Sequence, residues 1–590
     1  MGLLLLMGGV SDPNPQSLFV NNELGLAIDI GDRNGASQAK IDSGLTGATF
    51  KTAYPNHSLY QDANGVTPAI QPGDQVGLVI DSSKGGLGAI GSELVTNGGF
   101  DTDTVWTKGA DWSIGSGVAT MVAGAGTSIS QNIAITPGRL YRVRFTVTAG
   151  SNITVRIRLG GTTNLVNASL IAGSYEYFLF AESSNLAIAF LGSTLSAYSI
   201  DNVSCREVPG IHPYQTTSGS RPALCRTPDG GRRNLLTYSE DLSNAAWGKT
   251  SVTVTGTDTI VLSAGSAGKY VSQTITGTAP STISFEAKEG THRYIQVLSS
   301  SDAQHFVNID LQTGTIGTTG SKAEGALIES LSGGWNKYRV TITNTGFSSI
   351  RFYAVDSSSA VYGASTSATT SWQMRKVQLE TGSSATTYQK VTTTHDVTEA
   401  SRRDCWGLMA DGSDDSLITT SVDFSGTDKM TVMAGVRKNS DANRGMIVEL
   451  SANAGLNAGT FLLSGPDLTP GTNKYAIYGR ASGSILSLMD TAAGRTAPVT
   501  NVLSMTNDLS LSNAEHSLRI NGALVGSTSG DSGSGNFGNY ALFIGRRNNT
   551  DTPFAGIIYT LIIRGAATPT STIADFEKNL LRLRAGLGPF

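Results

Sequence analysis

The sequence predicts an all-β protein: tandem jelly-roll β-sandwiches, with a small loop-rich N-terminal region and a short C-terminal helix. Three observations predict it. Glycine makes up 70 of the 590 residues and Ser and Thr are dense, a composition that favours short β-branched strands and tight turns over helices. Several segments alternate apolar and polar residues, as in Tyr141-Arg142-Val143-Arg144-Phe145-Thr146-Val147 and Ile153-Thr154-Val155-Arg156-Ile157-Arg158-Leu159. A strand with one buried and one solvated face needs that period of two, because successive side chains point to opposite sides of the sheet. Finally, one order of landmarks occurs twice at the spacing of a whole domain.

Length and charge bound the rest. At about 100 to 200 residues per domain, the chain divides into three to five units, each able to fold by burial alone. Only 15% of residues are charged and the net charge is −4, so nothing draws the chain to nucleic-acid phosphates. The three cysteines, Cys205, Cys225 and Cys405, form neither a disulfide framework nor a CxxC zinc pattern. The opening run with Leu3, Leu4, Leu5 and Leu6 has no basic flank and is far shorter than the ~20 apolar residues that span a bilayer. It reads as a buried N-terminal segment, in a chain made without a signal peptide and not inserted in a membrane.

In chain order, residues 17–84 alternate apolar clusters with turn signals such as Asn64-Gly65 and Gln71-Pro72-Gly73-Asp74, giving a loop-rich region over 1–90. The first sandwich spans 91–208 and the second 234–392. Leu94-Val95-Thr96 leads to Trp106 as Leu235-Leu236-Thr237 leads to Trp247, and Ser130-Gln131-Asn132-Ile133 answers Ser272-Gln273-Thr274-Ile275. Tyr198–Val203 closes the first copy and Trp372–Leu379 the second. Between them 209–233, with Pro, Gly and Arg but no period, reads as a linker. Strands at Met430–Val436, His516–Gly522 and Ala541–Gly545 make a third sandwich within 393–590, and Ile573, Phe576, Leu580 and Leu581 mark the terminal helix over 571–584.

These residues also carry resemblances. Glu93 to Glu207, opening Glu-Leu-Val-Thr-Asn-Gly-Gly-Phe and closing Ser-Ile-Asp-Asn-Val-Ser, resembles the jelly-roll carbohydrate-binding modules of glycanases and phage proteins. Asn234 to about Lys390, through Gly334-Trp335-Asn336-Lys337-Tyr338-Arg339-Val340, is similar to a module of phage tail and appendage proteins, and Leu59–Pro68 to the head of the same proteins. Asp411-Gly412-Ser413-Asp414-Asp415-Ser416-Leu417 and Phe554-Ala555-Gly556-Ile557-Ile558-Tyr559 resemble a concanavalin A-like, laminin-G-like sandwich. Together they imply a bacteriophage virion structural protein in an external appendage. It would be held to other virion proteins through residues 1–90 and assembled as a homotrimer.

Sugar binding by such modules uses an exposed aromatic ring stacked on a pyranose, with polar groups bonding the hydroxyls. Trp106, Trp112, Tyr175 and Tyr177 are candidate platforms in the first sandwich, and Tyr540 and Arg546 are candidate contacts at the rim of the third. Each competes with a core or solvated role, which is the commoner use of such residues in a sandwich. Calcium is the one metal suited to so many hard oxygen donors. By resemblance to the carbohydrate-binding modules, Asp201 would join carbonyls of 97–100 in a structural site, while Asp411, Asp414 and Asp415 read as a turn capping its own amides. No cofactor is otherwise expected. The six histidines are scattered, with no HExxH or GxSxG, and no strand carries the paired carboxylates of a glycanase. The expectation is a non-catalytic tail-fibre or appendage protein touching host polysaccharide. The alternatives are a purely architectural baseplate, decoration or head-fibre protein and, further off, a glycan-degrading tailspike.

Overall fold

A computed structural model describes residues 13–30, 58–124, 126–149, 153–182, 186–192, 197–265, 268–278, 280–299, 303–343, 346–467, 473–490 and 495–588. The N-terminal leucine run lies outside them. The fold is all-β, 47% strand and 6% helix, and no helix among the described residues is long and apolar enough to cross a membrane. Two compact units emerge, Met1–Cys225 with Cys405–Phe590, and Arg226–Asp404.

Within the first unit, residues 91–208 form a two-layer sandwich. One sheet runs Val166–Leu170, Ile153–Leu159, Ala187–Leu191, Ser128–Asn132, Thr107–Lys108. The facing sheet runs Gly173–Phe180, Leu140–Ala149, Tyr198–Val208, Val118–Met121, Trp112–Gly115. The alternation in Ile153–Leu159 sets which face turns inward. Ile153, Val155, Ile157 and Leu159 are fully buried while Thr154, Arg156 and Arg158 stay half-exposed. Phe145 meets Phe190 edge-on across the core at 5.2 Å.

The second unit repeats this architecture with six strands per sheet, and the repeat is exact in register. Phe190 pairs with Ile129 on one side and Ile157 on the other; Phe352 pairs likewise with Val271 and Val297. The same side chains close both sandwiches. Gln131 exchanges two hydrogen bonds with the backbone of Thr96, both 2.8 Å, as Gln273 does with Thr237 at 2.9 and 3.0 Å. The indole of Trp106 donates to the Asn97 carbonyl at 3.0 Å and that of Trp247 to the Tyr238 carbonyl at 3.0 Å. Those two carbonyl-bearing residues share a left-handed backbone, φ 51° and 50°. A hairpin, Gln389–Thr393 with Asp396–Glu399, ends the unit, its Glu399 bonded to Arg233 at 2.7 Å.

The rest of the first unit forms the C-terminal sandwich. Its larger sheet is built on Ala555–Arg564, flanked on one edge by Lys429–Lys438, Val499–Asp508, His516–Ile520 and Ala523–Ser527. Two strands divide the other edge. The Asp404–Asp411 strand takes residues 555–558 and Gly25–Asp29 takes 560–564. Leu26, Ile28, Leu59, Ala69, Val76 and Val79 of the N-terminal region are buried in the core of this C-terminal sandwich. The terminal helix is present as Thr570–Phe576, a π turn Glu577–Leu581, and Arg582–Arg584. Its expected apolar stripe, Ile573, Phe576, Leu580 and Leu581, packs on Ala27, Met433, Val502 and Ile562. Two largely buried ion pairs fix it, Arg519 to Glu577 at 3.0 Å and Arg584 to Asp29 at 2.9 Å.

Candidate functional site

The aromatic residues expected as sugar platforms belong to the core. Trp106 is 6% exposed, lies 5.2 Å from Phe100 and spends its N–H on Asn97. Trp112 is 5% exposed, meets Tyr198 edge-on at 5.5 Å and donates to the Thr127 carbonyl. Tyr175 and Tyr177 share one face of their strand, but it is the inward face. Both stack on Phe145, at 5.6 and 6.2 Å, and the half-buried Tyr175 turns its hydroxyl onto the Ile171 backbone. A ring packed this way leaves no face for a pyranose. Tyr540 is half-buried against the core of the C-terminal sandwich. Arg546 donates to the carbonyls of Asp414 and Thr550, so both rim candidates serve the local structure.

Asp201 and the Asn97 and Gly98 carbonyls, expected to hold calcium, are engaged within the protein. Asp201 accepts from the backbone and side-chain nitrogens of Asn202 at 2.6 and 3.0 Å. The Asn97 carbonyl takes the Trp106 indole, and the Gly98 carbonyl takes Val203 N–H. The loop over 97–104 is closed by the Asn97 amide, which accepts from Asp101 and donates to the Thr102 and Thr104 carbonyls. Asn97 thus does there what an ion would do. The carboxylates of Asp411, Asp414 and Asp415 lie within 4.8 Å of one another. Asp411 accepts from Ser413 N–H and Asp415 from Asp411 N–H. Burial, with the charges of Asp411 and Asp414, pushes the Asp415 carboxyl up to about 7. This is a turn holding its own amides.

Among the described residues, the first sandwich nevertheless leaves one sheet face open. On the outward side of the sheet centred on Ile153–Leu159 stand Arg156 and Arg158, beside exposed Asn167 and Ser169 and half-exposed Ser130 and Ala189. Arg158 donates to Asn164 at 2.9 Å, and neither arginine has a carboxylate partner among the described residues. Two residues apart on one strand, their Cα atoms are about 7 Å apart. The opposite sheet is built differently. Arg144 is paired with Glu176 at 2.5 Å and Arg206 with Glu93 at 3.0 Å. Burial alone would raise the Glu93 carboxyl, but hydrogen bonds from Ser204, Cys205, Val95 and Arg206 outweigh it and hold it below the usual range. That sheet is also covered at one end, around Phe178. Phe178 packs on Tyr60 at 5.2 Å and its N–H bonds Asn64, across Gly65, where a side chain would strike the Phe178 ring. Alternation in the sequence shows that Ile153–Leu159 carries its charges on one face. Whether that face is open depends on distant partners.

No protein-family model matches the chain, and no curated protein does. Among solved structures, the CBM40 module of a Ruminococcus gnavus sialidase, bound to alpha2,3 sialyllactose, aligns with 28% of this chain and 94% of its own, at 16% identity and a TM-score of 0.22. The binding domain of botulinum neurotoxin serotype D aligns with 29% of this chain and 41% of its own, at 14% identity and a TM-score of 0.23. A heptameric SAP-like pentraxin from Limulus polyphemus aligns with 29% of this chain and 80% of its own, at 12% identity and a TM-score of 0.23.

Proposed function

We propose that the chain is a non-catalytic structural protein of a bacteriophage particle, a tail fibre or comparable external appendage, whose first sandwich touches host-surface glycan through the Arg156–Arg158 face. One observation carries the glycan half: among the described residues these two guanidiniums lack carboxylate partners on an exposed, hydroxyl-bearing sheet face, while Arg144 and Arg206 on the facing sheet are paired. Planar guanidinium groups donate in pairs to carboxylates and hydroxyls, so acidic polysaccharide suits the face best. The virion half is supported by the order of modules along the sequence. On this reading the N-terminal region meets other virion proteins and the chain assembles as a homotrimer.

A glycan array probed with the full chain is expected to return polysaccharide fragments, acidic members first, and R156A/R158A to weaken them at least about tenfold. An array without signal overturns the glycan half. Light scattering tests the trimer, and electron microscopy of labelled particles tests the appendage.

A purely architectural role is favoured for the second sandwich by one observation. Its corresponding sheet face is buried under its own segment 358–363, through bonds from Asn308 to the Ala360 carbonyl and from Gln296 to the Val361 carbonyl.

A further inference from the structure

The geometry points to a second ligand site in the first unit, a cleft of about 320 Å3 that takes a single hexopyranose. Its walls are fixed by backbone hydrogen bonds. Gly138 N–H bonds the Ala181 carbonyl at 2.8 Å, Thr420 Oγ1 donates to the Gly138 carbonyl at 3.1 Å, and Tyr214 and Ile418 exchange two bonds of 2.8 and 2.9 Å. The floor is equally rigid. His212 takes the Asp81 N–H on Nδ1 at 3.1 Å and contacts the Val208 carbonyl through Nε2 at 2.9 Å, the arrangement of a neutral ring whose Nε2 donates. Burial holds that ring down at about 4. Asp81 accepts from the backbone of Ala27, Ser83 and Ile211. These groups find their partners within the protein and need none from a ligand.

Three features of its lining define the ligand. Phe180, packed on Tyr214 at 4.7 Å, remains half-exposed and supplies an apolar ring. Arg139 is exposed and forms no ion pair among the described residues. Asp423, also exposed, uses one carboxylate oxygen for Ser425 N–H. Opposite charges facing one cleft without closing on each other leave a charged donor and a charged acceptor for the same guest. Thr420 and Ser421 add hydroxyls. A pyranose offers one apolar C–H face to the ring, hydroxyl hydrogens to Asp423 and hydroxyl oxygens to Arg139, and the volume falls at the small end of ligand pockets.

The site stands apart from the Arg156–Arg158 face, and its test separates the two. Saturation-transfer NMR and calorimetry on the full chain, with D-glucose, D-galactose, D-mannose and N-acetyl-D-glucosamine as probes, are expected to show saturable millimolar binding of at least one sugar. R139A and D423N, both at exposed positions, are expected to weaken it about tenfold or more, F180A to abolish the aromatic transfer signal, and R156A/R158A to leave it unchanged. The proposal falls if none of the four sugars saturates, if R139A and D423N bind as the parent does, or if R156A/R158A alone removes the binding.

Discussion

The two jelly rolls share a scaffold down to individual hydrogen bonds and treat one sheet face in opposite ways. By register, Arg156 of the first corresponds to Gln296 of the second, Arg158 to Leu298, Asn167 to Asn308 and Ser169 to Asp310. In the first these side chains meet solvent. In the second, Gln296 and Asn308 are fully buried, bonded to each other at 2.8 Å and to the Ala360 and Val361 carbonyls of an overlying segment. Gln296 also accepts from Gly363 N–H at 2.7 Å, and Tyr362 caps Phe306. The outward residues decide the outcome. Amides can satisfy a peptide laid across them, whereas laying one over two arginines would bury unpaired charge.

The largest expected effect tests the shared scaffold. Trp106→Ala and Trp247→Ala each remove a core indole and its backbone bond, and each should cost about 3–5 kcal/mol. Hydrogen exchange on the full chain would read the loss in each sandwich separately. A large loss in one and none in the other would break the equivalence on which the comparison rests.

Next comes the face itself. Gln296→Ala and Asn308→Ala each remove a fully buried amide and its hydrogen bond to the overlying segment, which should cost about 1–3 kcal/mol each. Asn167→Ala, at the matching open position, should stay within about 0.5 kcal/mol. Equal effects would mean that segment 358–363 does not depend on the amides beneath it.

A smaller difference depends on pH. Residues 91–208 contain no histidine, whereas His292 of the second sandwich is buried between Thr370 Oγ1 at 2.9 Å and the Tyr294 carbonyl at 2.8 Å. Burial holds its pKa below the ordinary 6.5. The unfolded chain therefore binds the proton more readily, and the neutral ring's contribution, complete above 6.5, is lost as the pH falls towards the folded value. On going from pH 7 to about pH 5, exchange protection should drop more in the second sandwich than in the first, and His292→Gln should reduce the difference. A larger drop in the first sandwich would contradict this assignment.

Much of this architecture was legible in the sequence. Alternation in Ile153–Leu159 gave the inward set, the recurrence of Gln131 and Gln273 marked equivalent strands, and Ile573, Phe576, Leu580 and Leu581 marked the buried stripe of the terminal helix. The aromatic candidates failed for a specific reason. In Gly173–Phe180, Tyr175, Tyr177 and Leu179 occupy one face and Phe178 and Phe180 the other, so both faces look apolar. Which one turns inward is set by pairing with Phe145. The placement of Gly25–Asp29 against 560–564 has no local signal, since two partners so far apart in the chain recognise each other only once the sheet edge exists. The charges at Arg156 and Arg158 were visible as an alternating pattern. Their lack of partners was not, because pairing depends on where Glu93 and Glu176 lie in space.

The smallest expected effect on stability is the most informative about function. Arg156→Ala with Arg158→Ala removes two guanidiniums that hold no carboxylate among the described residues, so the melting temperature should hardly move and a change within about 0.5 kcal/mol is expected. Glu176→Ala and Glu93→Ala, by contrast, strand arginines on the facing sheet, and Glu93 also holds Cys205 N–H and Ser204. If the paired arginines serve the fold and the unpaired ones a ligand, the double variant should lose polysaccharide binding at unchanged stability. Binding by the parent should also weaken as salt is raised, because an exposed cationic face is screened within a Debye length of about 8–10 Å. Salt-insensitive binding that survives loss of both arginines would return the open face to the same structural role as its covered counterpart.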